Sequence, residues 1–301
     1  MRAGIRRLLR IQRVLGRVYL LLLAVWLAGG FWFSACGLVT TRYTVYADIA
    51  APGEAPLRIV QLTDLHSRTF GEDNRRLLEA VAAAEPDLIF VTGDMVNMDA
   101  ADVSVSASLA ASLAAIAPTY LSLGNHELVH SAAFGTDFAQ IWEQGGAVLL
   151  DFSVETVTVR GMTVAVGGLY GYCTTPAEPA EEELLRTLCE TEADVHLLLT
   201  HMPVCWSEGT AAEVWNAIDA VFCGHSHGGQ IIWPLLGATF APDQGWFPGK
   251  IWGLFDRENA AAVIVSRGLG GSTPVPRFNN IPELTVCEIM YREQEESDND
   301  G

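Results

Sequence analysis

Hydrophobic and polar positions follow two different regimes along this chain. Residues 18–39 are uncharged and mostly apolar, with no periodic polar face. After residue 56, short apolar runs alternate with stretches in which apolar positions recur every three or four residues. Residues 57–62, 87–92 and 120–123 are predicted strands buried on both faces, and 73–84 (with Leu77, Leu78 and Val81) and the alanine-rich 103–116 are predicted helices. That rhythm predicts βαβ units and a largely parallel sheet. A short alternating segment (Tyr43, Val45, Ala47) and a loop with Pro52, Gly53 and Pro56 precede it. The second half is richer in strands. A hairpin over 153–159 and 162–166 turns at Arg160-Gly161, and further strands are predicted at 195–200, 218–223, 261–266 and 284–291, with helices at 181–190 and 211–216. There is no internal repeat and no interdomain linker. The expected organisation is a basic arm and anchor over 1–40, one domain over 41–292, and an acidic, disordered tail over 293–301.

The first regime reads as a membrane segment. Residues 18–39 would span about 33 Å as a helix, close to the hydrocarbon core of a bilayer at about 30 Å. Arg2, Arg6, Arg7, Arg10, Arg13 and Arg17 precede it, which predicts a cytoplasmic N-terminus and a single-pass protein with its body outside the cell membrane. The competing expectation is export after signal cleavage. Ser34-Ala35-Cys36 loosely resembles a lipoprotein box, and Arg6-Arg7 is a faint twin-arginine pattern. The run exceeds the 7–15 residues or so of a signal h-region, which favours an uncleaved anchor.

Composition sharpens this picture in one respect. The 301 residues are 50% hydrophobic and carry a formal charge of −18, but the six arginines lie in the first 40 residues, which hold no acid. The remainder has 12 basic and 36 acidic groups, a net of −24. Such a body repels polyanions, so no nucleic-acid partner is expected, and any phosphate it handles must be attracted locally. Beyond Cys36, the cysteines at 173, 189, 205, 223 and 287 are odd in number and form no CxxC pair. One or two bridges and buried free thiols are equally compatible with them.

The chemistry lies where the predicted strands end. Short polar clusters, three of the five containing glycine, directly follow strands and hold five of the seven histidines. The clusters are Asp64-Leu65-His66, Gly93-Asp94, Gly124-Asn125-His126-Glu127, Thr200-His201 and Gly224-His225-Ser226-His227. In open α/β sheets the carboxyl ends of strands border one crevice, so clusters far apart in sequence can converge there. Imidazole and carboxylate donors without thiolate suit Mn, Fe or Zn, and glycine beside a ligand permits a sharp turn. A shared carboxylate can hold two cations close enough to clamp a phosphoryl displacement. His130 and His196 read as ordinary core histidines. Asp64 and Asp94 could instead cap helices, but charges buried without partners are costly.

The ordered series from Asp64-x-His66 to Gly224-His225-x-His227 resembles the calcineurin-like metallophosphoesterases over most of residues 57–291. Gly228-Gly229-Gln230, residues 241–245 and residues 266–270 resemble its bacterial membrane-anchored phosphodiesterase branch. The resemblance implies an α/β fold, a four-layer sandwich of two mixed β-sheets flanked by helices. It implies two divalent metal ions, one held by Asp64, His66 and His227, a bridging Asp94, and a second held with Asn125, His201 and His225. His126 would be catalytic, facing the substrate without ligating metal, and Glu127 would orient it. The implied function is metal-dependent phosphoester hydrolysis of a phosphodiester, with a lipid-linked or envelope compound as substrate. The alternatives are a phosphomonoesterase or a membrane-tethered, non-catalytic metal-binding protein.

A serine-hydrolase reading of Gly224-His225-Ser226-His227-Gly228 fails, because no histidine follows His227 and Gly228-Gly229 starts a helix poorly. Arg267 is expected either to bind substrate phosphate or to pair with a loop carboxylate. Residues 231–255 concentrate Trp233, Phe240, Trp246, Phe247, Trp252 and Phe255. They are expected either to border the site and touch acyl chains or a membrane, or to fold onto the core.

Overall fold

The computed structural model describes residues 2–47, 55–171, 179–272 and 275–291, with side chains from residue 7 onward. The tail over 293–301, Cys173 and most of the Pro52–Gly53 loop lie outside the described residues. The chain begins with α1 (Arg2–Cys36), longer than the expected span at its N-terminal side. Gly37 closes it by donating to the Phe33 carbonyl at 2.8 Å, and β1 (Val39–Ala47) starts two residues later. The first half continues as β2 (Leu57–Leu62), α2 (Arg75–Ala83), β3 (Leu88–Thr92), α3 (Ser104–Ala114), β4 (Thr119–Ser122), α4 (Asn125–Phe134), α5 (Phe138–Glu143) and β5 (Val148–Leu149). The second half contains β6 (Ser153–Val159), β7 (Met162–Gly168), α6 (Pro179–Glu190), β8 (Val195–Leu199), α7 (Val204–Ser207), α8 (Ala211–Val214) and β9 (Ala220–Cys223). Two small hairpins follow, β10 (Ile232–Trp233) with β11 (Gly237–Ala238), and β12 (Phe240–Ala241) with β13 (Gly245–Trp246). The chain ends through β14 (Gly253–Phe255), β15 (Ala262–Val265) and β16 (Glu283–Tyr291).

Two six-stranded mixed sheets result, in the orders β1-β16-β2-β3-β4-β5 and β14-β15-β9-β8-β7-β6. Their inner faces share one apolar layer in which Ile59, Leu88 and Phe90 meet Val164, Leu197, Phe222 and Ile264. The Phe90 and Phe222 rings cross edge to face at 5.0 Å. Helices α2, α3 and α5 cover the outer face of the first sheet, and α6, α7 and α8 that of the second. The α/β sandwich of four layers is therefore as expected. Strands β2, β3 and β4 run parallel to one another, as do β7, β8, β9 and β15, so the carboxyl ends within each sheet share an edge. Buried Gln61 ties the two edges together, donating through Nε2 to Thr92 Oγ1 at 3.0 Å and to the Cys223 carbonyl at 2.9 Å.

Several local expectations change. The helix predicted from residue 73 begins at Arg75, because Asp73 and Asn74 adopt left-handed backbone and Asn74 Oδ1 instead accepts the Phe70 N–H at 2.9 Å. The helix expected at 211–216 is a single turn. Helix α4 was not signalled by apolar periodicity. It is set by Glu127, which reaches back to the Gly124 N–H at 2.9 Å, and by Gly135 (φ 69°) at its end. The described cysteines, Cys36, Cys189, Cys205, Cys223 and Cys287, are all free thiols.

The last turns of α1 pack on the body. Trp26 meets Trp233 and Phe278, and Phe31 also meets Phe278. Gly30 lies so close to Phe278 that a Cβ there would collide with the ring. Ser34 Oγ accepts the Asn280 N–H at 3.0 Å, while Arg68 and Arg76 donate to the Ala35 and Cys36 carbonyls.

Candidate metal centre

Every candidate ligand follows a strand, and the backbone there turns abruptly. Asp64 and His66 follow β2, Asp94 follows β3, Asn125 begins α4 after β4, His201 follows β8, and His225 and His227 follow β9. Asp64, His66, Asp94, His225 and His227 all have positive φ, between 48° and 69°. Such geometry costs a non-glycine residue about 1–2 kcal/mol each, and it persists only where surrounding bonds enforce it. Those bonds are present. Asp64, His66 and Ser67 donate their N–H groups to the carbonyls of Gly93, Asp94 and Met95 at 3.0, 3.0 and 2.9 Å. Gly124 and Gly224 permit the crowding, since a Cβ on either would collide with the Asp94 carboxylate or with Thr63 and Asp64.

The side chains converge in two groups that share one carboxylate. Asp64, His66, Asp94 and His227 present donor atoms within 4.8 Å of one another, and Asp94, His201 and His225 do the same. His66 Nε2 lies 3.6 Å from Asp94 Oδ2 and 4.0 Å from Asp64 Oδ1, His227 Nε2 is 3.7 Å from Asp64 Oδ1, and His201 Nε2 is 3.2 Å from Asp94 Oδ2. Both ring nitrogens of His66, Nδ1 of His227 and Oδ1 of Asn125 are buried without a partner among the described residues. Buried polar atoms normally have partners, so this donor set fits cations, with nitrogen and oxygen ligands and no thiolate.

Electrostatics sorts the same groups. Burial pushes the Asp64 carboxyl above its ordinary range. It pulls His66 down to about 3 and His227 well below the usual imidazole value, leaving neutral rings with free lone pairs. Burial also acts downward on His201, but the charge of Asp94 and its hydrogen bond outweigh it and push His201 up to about 10. Burial alone would raise Asp94; His201 and the neighbouring imidazoles hold it well below the carboxylate range instead. Positive charge is thus most favoured beside the shared carboxylate.

Second contacts fix the rings. His201 Nδ1 donates to the Thr92 carbonyl at 2.7 Å, which directs Nε2 at Asp94. His225 Nε2 pairs with Asp243 Oδ2 at 3.0 Å, leaving Nδ1 on the inner side, 3.3 Å from His201 Nε2. Asn280 Nδ2 donates to the His227 carbonyl at 2.7 Å. His126 stands at the rim, with Nε2 3.9 Å from Asp94 Oδ2 and its own N–H on Asp94 Oδ1 at 2.9 Å.

The group that orients His126 is the Met98 N–H, which donates to Nδ1 at 3.0 Å, and not Glu127 as the sequence suggested. Glu127 is fully buried and accepts from four backbone amides, those of Asp94, Met95, Val96 and Gly124. It locks two ligand-bearing loops together. Arg267 pairs with Glu283, so of its two expected roles the structural one is seen. His130 and His196 bond to the Ala100 and Thr191 carbonyls, apart from the cluster. Asp243, which holds the His225 ring, and Asn280, which holds the His227 backbone, were missed; Asp243 stood only within a stretch noted for its resemblance, and nothing in sequence pairs it with His225.

Known proteins carry the same pattern. The sequence pattern of the calcineurin-like phosphoesterases matches residues 57–229. Phosphodiesterase YaeI of Escherichia coli K12 is 30% identical over 86% of this chain and 89% of its own length. An uncharacterized metallophosphoesterase of Aquifex aeolicus is 26% identical over 82% of this chain and 90% of its own. Among solved structures, TT1561 of Thermus thermophilus aligns with a TM-score of 0.45 at 14% identity, covering 71% of this chain and 90% of that one.

Proposed function

The chain belongs to the calcineurin-like phosphoesterases, binuclear metal-dependent phosphoester hydrolases, and on that premise we propose that it cleaves phosphodiesters at the outer face of a membrane. The observation that carries the reading is Asp94 shared between two donor groups, with both ring nitrogens of His66, Nδ1 of His227 and Oδ1 of nearby Asn125 buried without a partner among the described residues. Asp64, His66 and His227 would hold one cation, Asn125, His201 and His225 the other, with Asp94 between them. A divalent pair supplies Lewis acidity, which makes water a nucleophile near neutral pH and offsets phosphoryl charge.

The remaining steps belong to side chains. Because His126 Nδ1 accepts the Met98 N–H, the neutral ring carries its proton on Nε2, at the rim of the cluster. From there Nε2–H can donate a hydrogen bond to a phosphoryl oxygen or to the leaving oxygen as charge develops on it. The β12–β13 hairpin, which carries Asp243, presents exposed Phe240 and Trp246 beside exposed Phe247. The apolar segment therefore borders the site, which supports a substrate with an apolar part.

Membrane attachment is supported by length, composition and packing. Residues Arg7–Cys36 are long and apolar enough to cross a bilayer, and their last turns build tertiary contacts that a cleaved signal would forfeit. Trp233, which packs on Trp26, is partly exposed, and Leu235 and Leu236 just after it in sequence are exposed as well. On the positive-inside rule the body lies outside.

The test replaces His126 by Ala. Metal content should stay at two ions per chain while turnover of bis(p-nitrophenyl) phosphate falls at least about 100-fold, the low end for a lost donor to a developing oxyanion. Full activity in that variant would remove the mechanism. Turnover of p-nitrophenyl phosphate alone would make the protein a monoesterase, and metal binding without any turnover would leave a tethered metal-binding protein.

A further inference from the structure

Behind the first metal position, Arg277 is buried under the end of α1 with only 6% of its surface exposed. Its Nε donates to the Gly270 carbonyl and Nη2 to the Arg267 carbonyl, both at 2.7 Å. Nη1 is equally buried and has no partner among the described residues. A guanidinium nitrogen left in that condition is costly unless something else satisfies it. It borders a cavity of about 430 Å³ whose wall includes Phe31, Ser34, Arg68, Gln230 and Val275. Two guanidinium groups and no carboxylate line it among the described residues, in a body whose net charge is −24.

The lining is of two unlike kinds. Arg277 and Arg68 are cationic, while Phe31 on α1 and Val275 are apolar and exposed. Arg277 lies close to the centre, because Gly270, whose carbonyl Arg277 holds, donates its N–H to the Asp64 carbonyl at 2.5 Å. Phe31, Ser34 and Ala35 of the wall belong to the last turns of the helix that crosses the membrane in the proposed reading.

We infer that this cavity binds the phosphate-bearing head of a membrane amphiphile, which enters sideways from the lipid leaflet. Arg277 Nη1 donates to the phosphate, Arg68 supplies the second positive charge, and the chain leaves between Phe31 and Val275 along α1. Arginine suits this role because its fixed fork matches phosphate oxygens. The inference rests on the proposed reading for the membrane position of α1, but its anion chemistry does not require the cation pair. A free phosphate would satisfy Arg277 but would not cover the exposed part of the Phe31 ring, so the occupant assigned is the lipid.

The experiment uses the full metal-loaded chain in detergent. Dioctanoyl phosphatidylglycerol, dioctanoylglycerol and inorganic phosphate are offered separately, and bound mass is read by native mass spectrometry. The expected result is one phosphatidylglycerol per chain, with inorganic phosphate at least about tenfold weaker because it buries none of the apolar wall, and dioctanoylglycerol not retained because it lacks the charge that Arg277 bonds. Val275→Glu, which sets a like charge at an exposed position of the wall, and Arg277→Lys, which loses the guanidinium fork, should each weaken retention at least about tenfold. Thermal unfolding and metal content check that each variant is folded. Absence of lipid retention, or retention unaffected by Val275→Glu in folded protein, overturns the inference, and equal affinity for inorganic phosphate overturns the lipid assignment. Diester hydrolysis by the wild type is read separately, so failure of the proposed activity is distinguishable from failure here.

Discussion

The two sheets supply the centre in different ways. The first contributes both carboxylates and the amide, Asp64, Asp94 and Asn125, together with His66, and its loops are held by backbone bonds. Glu127 alone binds four of their amides. The second contributes only imidazoles, His201, His225 and His227, and two of these depend on distant segments. Asp243 on the β12–β13 hairpin holds His225, and Asn280, bonded to Ser34 of α1, holds the His227 backbone. Negative charge is thus built into the rigid half, where backbone dipoles keep it in place. Two of the three imidazoles are set instead by the β12–β13 hairpin and by Asn280, which is bonded to α1. The difference predicts that the first half decides whether the site exists and the second how tightly it holds its second ion.

Substitution of the shared carboxylate should give the largest effect. Asp94→Asn is expected to abolish binding of two ions per chain and to lower activity by more than the roughly 100-fold that loss of an outer partner costs. Elemental analysis beside turnover checks it, and two ions retained would break the comparison. Glu127→Ala strands four buried amides, so unfolding in urea should show a loss of about 3 kcal/mol or more, with Glu127→Gln milder because it keeps one acceptor oxygen. Asp243→Ala leaves the first sheet untouched. Affinity for the second ion should fall roughly 10–100-fold while the first is retained, as read by titration with Mn²⁺ into metal-free protein. Asn280→Ala removes a bond to a ligand's backbone rather than its ring, and its expected effect is smaller, under about tenfold on metal affinity. An Asn280→Ala effect larger than that of Asp243→Ala would reverse the order and place control of the centre at α1.

The elements most legible in sequence are those whose signal is local. The buried strands at 57–62, 87–92 and 218–223 stand out because a run with both faces covered has no polar position. The ligand candidates stand out because polar residues interrupt such runs at their ends. Helix α4 was hidden, since its apolar pattern is weak and its start is defined by Glu127 bonding back to Gly124. The role of Glu127 itself was misjudged for a related reason. Adjacency to His126 suggested a local partner, but on α4 the carboxylate points under the Asp94 loop. The small strands between residues 232 and 246 were also unseen, because pairs of two residues leave no periodicity to read.

By itself the sequence determined the strand–helix rhythm, the apolar leader, the acidic body and the set of residues able to bind cations, since each follows from composition or short-range spacing. Tertiary structure decided which donors share Asp94, that a backbone amide of Met98 selects the proton position on His126, and that the end of α1 closes a cationic cavity around Arg277. The physical reason is that ligand geometry, tautomer and burial depend on atoms brought within a few ångströms by packing. Residues 64, 94, 201 and 227 are neighbours only after the two sheets have stacked and their strand ends have met.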